Sequence, residues 1–116
     1  MLTYTKAATL FAKARDKDKG AALERHTRLV QTGEGDFAVK YHATPVVTIH
    51  KDCTYTLKTG GWRTATTKKR INDYSPARVY QRKGEWLLCP GASGEVVFMD
   101  GVRVSSNSYV MEAHHG

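Results

Sequence analysis

From Leu23 onward, apolar and polar residues alternate at every second position, and short turn-forming clusters cut the alternating runs apart. A period of two belongs to a strand with one buried and one wet face, so most of the chain is committed to antiparallel hairpins. The runs are Thr27 to Gln31, Phe37 to Tyr41, Val46 to His50, Thr54 to Lys58, Arg78 to Arg82, Glu85 to Cys89, Glu95 to Met99 and Val102 to Ser105. Between them stand Gly33-Glu34-Gly35-Asp36, Lys51-Asp52, Lys83-Gly84 and Asp100-Gly101. Asp-Gly between two alternating runs is the strongest short hairpin signal, and it predicts that residues 95–99 pair with 102–105. Pro45 is expected to stand before its strand. Cys53 occupies a position where glycine would ease the turn, so that connection must be longer or mildly strained.

Two segments depart from this period. Ala7, Ala8, Leu10, Phe11 and Ala14 make an apolar stripe that predicts a helix from Thr5 to Lys19, closed by Gly20. A second helix is expected from about Thr66 to Tyr74, with Thr67, Ile71 and Tyr74 on one face and Ser75-Pro76 ending it. The expected fold is therefore α+β, a small bent antiparallel sheet with an N-terminal helix and a short helix near residues 66–74. A chain of 116 residues has room for one core, so residues 1–116 read as a single domain. Within it lie a helix in 1–20, strands in 24–58, a basic loop and helix in 60–76 and hairpins in 78–112. The strand faces assign Phe37, Val39, Tyr41, Val47, Ile49, Tyr55, Leu57, Ile71, Val79, Trp86 and Leu88 to the core, with Trp62 as a further anchor.

The net charge is +7, and its position matters more than its size. Lys58, Arg63, Lys68, Lys69, Arg70, Arg78, Arg82 and Lys83 face Asp73 alone in their stretch of chain. Residues 1–57 carry nine basic and six acidic side chains, and residues 84–116 carry one and four. Segregation of this kind favours a polyanionic partner, with a solvated basic face as the plainer alternative. No apolar run approaches bilayer length and no leader pattern opens the chain, so an intracellular protein without membrane contact is expected. Cys53 and Cys89, far apart and outside any C-x-x-C pair, read as reduced, partly buried thiols rather than a disulfide or zinc site.

Lys68, Lys69 and Arg70 crowd the first turns of the second helix, where acids are the usual occupants, and an anion would compensate them. Thr64, Thr66 and Thr67 offer hydroxyls and a cap, Gly60-Gly61 allows close backbone approach, and Arg63 can fork onto a phosphate. The predicted phosphate-backbone site therefore comprises Lys58, Arg63, Thr64, Thr66, Thr67, Lys68, Lys69 and Arg70, extended by Lys40 and His42 if the wet strand face abuts the helix start. Lys68, Lys69 and Arg70 are expected on the helix's exposed face. His42 and His50 lack a third ligand at metal spacing, and no nucleophile–base pair or carboxylate pair assembles from Asp16, Asp18, Glu24, Glu34, Asp36 and Asp52. No enzyme activity, metal or cofactor is expected. His114 and His115 are expected to be exposed.

Three stretches, Arg25 to Leu29, Lys40 to Thr48 and Gly60 to Asn72, resemble a group of small proteins encoded by tailed bacteriophages. The resemblance spans roughly residues 24 to 88, and its most specific part is G-G-W-R-T-x-T-T-K-x-R-I-N. Cys53 and Lys69 stand where many of the group have Gly and Asp. The resemblance implies a phage origin and a place in the host bacterial cytoplasm or the virion; it brings no activity with it. The leading expectation is an accessory protein that binds nucleic acid, DNA or RNA, through phosphates with little base specificity. The alternatives are a virion protein docking other phage or host proteins through the basic segment, and an inhibitor of a host defence system that occupies a nucleic-acid channel or sequesters a nucleotide. Oligomeric state is left open.

Overall fold

The computed structural model describes residues 1–89 and 94–107 in full and residues 110–112 through their backbone. His114 and His115 lie outside the described residues. Helix α1 spans Tyr4–Ala12, with Thr3 as its N-cap accepting from the Lys6 N–H. It ends well before Lys19, and two local contacts explain why. The Lys17 ammonium folds back onto the carbonyls of Phe11, Ala12 and Ala14 at 3.2, 2.8 and 2.6 Å. Asp16 then accepts from the N–H groups of Asp18 and Lys19. Side-chain bonds to nearby backbone compete with helix continuation, and here they win.

The strands are β1 (Ala21–Glu24), β2 (Thr27–Gln31), β3 (Phe37–Tyr41), β4 (Thr44–Ile49), β5 (Tyr55–Leu57), β6 (Arg78–Arg82), β7 (Glu85–Cys89), β8 (Val96–Val97), β9 (Val102–Val104) and β10 (Val110–Glu112), and helix α2 (Ala65–Tyr74) follows β5. They form a seven-stranded sheet in the order β1-β2-β3-β4-β5-β9-β10 and a three-stranded sheet β6-β7-β8. All described pairings are antiparallel. The α+β class and the two helices agree with the sequence reading.

The Asp100-Gly101 hairpin does not form. β8 pairs with β7, and β9 pairs with β5, so the turn carries the chain from one sheet to the other. The Asp100 carboxylate is engaged elsewhere: it accepts from the Thr59 N–H, the Thr59 hydroxyl and the Gly60 N–H at 3.0, 2.7 and 2.8 Å. Pro45 lies inside β4 rather than before it. The ladder with β3 skips Val46, pairing Val39 with Val47 and Lys40 with Pro45, and a bulge of this kind turns Val46 and Val47 both inward. Gly20 is required where it stands, since a side-chain carbon there would sit 2.1 Å from the Leu29 carbonyl oxygen.

One face of the larger sheet carries Leu29, Phe37, Val39, Val47, Ile49, Tyr55, Leu57, Val102 and Val104, all buried, and joins Ala7, Phe11, Ile71, Val79, Trp86, Leu88 and Phe98 in one core. The expected core residues are buried except Tyr41, which is half-buried, and Trp62, which is 68% exposed. Asn72 clips α2 to the smaller sheet by accepting from the Val79 N–H and donating to its carbonyl. Cys53, expected to be partly buried, is exposed, with φ of 68° in the β4–β5 turn; Cys89 is half-buried. The other face of the larger sheet presents Arg28, Lys40, Thr48, Thr56 and Arg103, which alternate along their strands with the inward set and pair with one another or with like-facing residues across strands.

Candidate nucleic-acid interface

The loop from Thr59 to Arg63 leads from β5 to the start of α2. Its first residues are held by Asp100, and Gly60, at φ of 63°, lies so close to Thr44 that a side-chain carbon would meet that side chain at 2.9 Å. The freedom of Gly60 therefore serves internal packing. Trp62 follows with its N–H bonded to the Thr59 carbonyl and its indole turned outward. Thr64 caps α2, its hydroxyl accepting from the Thr67 N–H at 3.1 Å.

Between this loop and the β3–β4 turn lies a cleft of about 440 Å³ lined by Tyr41, His42, Ala43, Thr44, Val46, Thr59, Trp62, Thr64 and Thr67. Besides Trp62 the lining holds two further rings, Tyr41 and His42. The His42 ring stacks on His26, with centroids 4.6 Å apart and planes at 22°, and tilts against Tyr41 at 4.5 Å. Both histidines hold φ of 54°, each at the tip of its hairpin, and the His42 N–H bonds the His26 carbonyl. A lining that combines the Trp62, Tyr41 and His42 rings with threonine side chains suits a flat, polar-edged ligand.

The predicted site residues do not all meet here. Thr64, Thr67 and His42 line the cleft, while Thr66 is half-buried outside its lining. Arg63, which stands in sequence between the lining residues Trp62 and Thr64, and Lys68 are outside the lining; each lies over the buried Trp86 ring, 5.4 Å from the ring centroid, and neither has a carboxylate partner among the described residues. Lys69 is exposed and paired with Asp73 at 2.9 Å. Arg70, expected on the exposed face, is only 8% exposed: it pairs with Glu24 at 3.1 Å, donates to the Thr27 hydroxyl at 2.9 Å and lies under the Tyr41 ring. Lys40 and Lys58 belong to the opposite face of the sheet, because Lys40 follows the inward Val39 and pairs with Arg28, and Lys58 lines a groove with Thr48 and Thr56. Arg82 is held by Glu95. The basic segment is thus divided in space.

Sequence spacing joined Asp36 to nothing, whereas the fold sets its carboxylate 2.8 Å from His50 Nδ1 on the face that carries Lys58. Burial pushes the Asp36 carboxyl up, but the hydrogen bonds from His50 and the Lys51 N–H, with the charges behind them, outweigh it and hold its pKa below the ordinary value. No group of three or more His, Cys, Asp and Glu side chains placed to hold a metal occurs among the described residues.

The Kyanoviridae Gp96 protein family matches residues 6–106, a span that includes both the cleft and the Asp36–His50 pair. The chain belongs to this phage protein family. No curated protein and no solved structure matches it. No helix among the described residues is long and apolar enough to cross a membrane.

Proposed function

We propose that this protein binds single-stranded nucleic acid at the Trp62 cleft, unpaired bases stacking on its rings and phosphates meeting Arg63 and Lys68. The observation that carries this reading is the outward Trp62, 68% exposed in the lining of a cleft that His42 and Tyr41 also line. A large ring left in water loses the burial that core packing would give it, and a base would supply that burial through stacking. Stacking tolerates every base, and phosphate contacts from Arg63 and Lys68 select backbone rather than sequence, so low base specificity follows. The virion-docking alternative draws on the basic segment as a continuous surface, and its dispersal weakens that support. The size of the cleft favours, as a second reading, capture of a single nucleotide.

The test is fluorescence titration of the protein with oligothymidylate and oligouridylate at low salt, Trp62 being the exposed indole and Trp86 the buried one. Trp62→Ala is expected to weaken binding by about 1–3 kcal/mol, the usual worth of one stacked base. Arg63→Ala with Lys68→Ala should reduce the slope of log affinity against log salt by roughly one to two units. Affinity that does not grow beyond a single nucleotide selects the second reading. No binding at low salt, or an unchanged affinity in Trp62→Ala, would overturn both.

A further inference from the structure

On the face of the larger sheet turned away from the core, three side chains from separate segments form one continuous hydrogen-bond chain. Asp36 closes the turn before β3 and accepts from the Lys51 N–H at 3.0 Å through Oδ1 and from His50 Nδ1 at 2.8 Å through Oδ2. His50, just past β4, reaches the Thr56 hydroxyl with Nε2 at 2.7 Å. Thr56 sits mid-strand in β5 between Thr48 and Arg103. Lys58, two residues further along the same face, is exposed and has no side-chain partner among the described residues. An open groove of about 500 Å³ runs over the set, lined also by Thr32, Glu34 and Thr48.

We propose that Thr56 is a nucleophilic hydroxyl that attacks activated carboxylic esters, with His50 as its general base and Asp36 as the residue that positions the imidazole. The chemistry follows from which atoms hold protons. An ionised Asp36 takes the Nδ1 proton as its donor, which leaves the Nε2 lone pair directed at the Thr56 O–H. A hydroxyl whose proton has a base 2.7 Å away is activated in the same sense as any serine or threonine nucleophile beside an oriented imidazole. The backbone N–H groups of β5 are engaged in the sheet, so the cation nearest in sequence on this face, Lys58, is the group available to meet a developing oxyanion.

The step balances without a cofactor. Thr56 Oγ bonds to the ester carbonyl carbon while its proton passes to His50 Nε2. The tetrahedral adduct collapses, the carbon–oxygen bond to the leaving group breaks, and that oxygen takes the proton from Nε2 and departs as an alcohol. Water, deprotonated by the same Nε2, then adds to the acyl-Thr56 ester and releases a carboxylic acid and the free hydroxyl. This site shares no lining residue with the Trp62 cleft and does not depend on nucleic-acid binding.

The experiment is reaction of the full chain with p-nitrophenyl acetate, read as p-nitrophenolate release and by peptide mass spectrometry of the quenched protein. The expected result is a burst approaching one equivalent and an acetyl group on Thr56. Thr56→Val, which keeps the shape of the side chain, should abolish both, and His50→Gln should slow the burst by about 100- to 10,000-fold. The adduct is mapped in the unaltered protein, so a variant that fails to fold cannot blur the answer. Absence of a burst, or acetylation confined to Lys58, the exposed Cys53 or another nucleophile with Thr56 unmodified, overturns the proposal.

Discussion

The guanidinium of Arg70 lies 5.5 Å from the ring centroid of Tyr41, which lines the cleft, and it pairs with Glu24 through Nη1 and donates to the Thr27 hydroxyl through Nε. A buried charge persists only when paired, and removal of one partner strands the other. Thr27 is fully buried, and Glu24 also accepts from the Tyr74 hydroxyl, so four side chains depend on this one. Arg70→Ala is therefore expected to lower stability by about 1.5–3 kcal/mol, the usual range for a hydrogen bond to a charged group. Lys69→Ala should stay within about 0.5 kcal/mol, because its side chain is exposed and its pair with Asp73 lies at the surface. Urea denaturation of the two variants separates them. Equal stability in both would mean that Arg70 is as dispensable as its neighbour.

Helix spacing already contained the position of Arg70: Thr67, Arg70, Ile71 and Tyr74 recur at three- and four-residue steps along one stripe, and three of the four were legible as its inward face. Charge type masked the fourth. Strand faces were legible for the same reason, since a period of two needs no knowledge of the partner, and Phe37, Val39, Ile49 and Leu57 are inward as their alternation requires. Pairings across a short turn, such as β4 with β5 and β6 with β7, were legible as well, but β9 with β5 was not, because that choice is settled by contacts far apart in sequence. Asp100-Gly101 illustrates this: the dipeptide suits a hairpin, but the carboxylate is drawn to Thr59 and Gly60, some forty positions earlier. The same bonds anchor the loop that presents Trp62, so the cleft was legible only in its residue types and not in its assembly. Asp100→Ala removes three hydrogen bonds at once. It should cost about 1–3 kcal/mol and speed amide exchange at Thr59, Gly60 and Gly101 ahead of the rest of the sheet. Exchange that remains slow at those amides would show that the loop is held by other contacts.

Across the whole molecule, carboxylates hold one corner of the larger sheet together. Asp36 ties the turn before β3 to the end of β4, and Asp52 ties the β4–β5 turn to Thr54 and, through Arg103, to β9. The Asp52 pKa also lies below the ordinary value, chiefly through the hydrogen bonds from the Thr54 hydroxyl and N–H, with the charges of Arg103 and His50 adding to them. A carboxyl whose pKa is depressed by folding stabilises the native state at every pH above its unfolded value of about 3.9, and that contribution disappears as pH falls through the lower folded value. Stability should accordingly hold between pH 5 and 7 by roughly this criterion and decline below about pH 4. The net charge of +7 adds a second acid effect, since protonating every carboxylate increases self-repulsion across the molecule. Asp36→Asn separates the two. It leaves the general repulsion nearly unchanged but cannot lose a charge at that corner, so it should melt lower than the unaltered protein at pH 7 and lose less on going to pH 2.5. Thermal melts of both proteins followed by circular dichroism decide the matter. Parallel acid profiles would assign the decline to repulsion alone and remove Asp36 from the account.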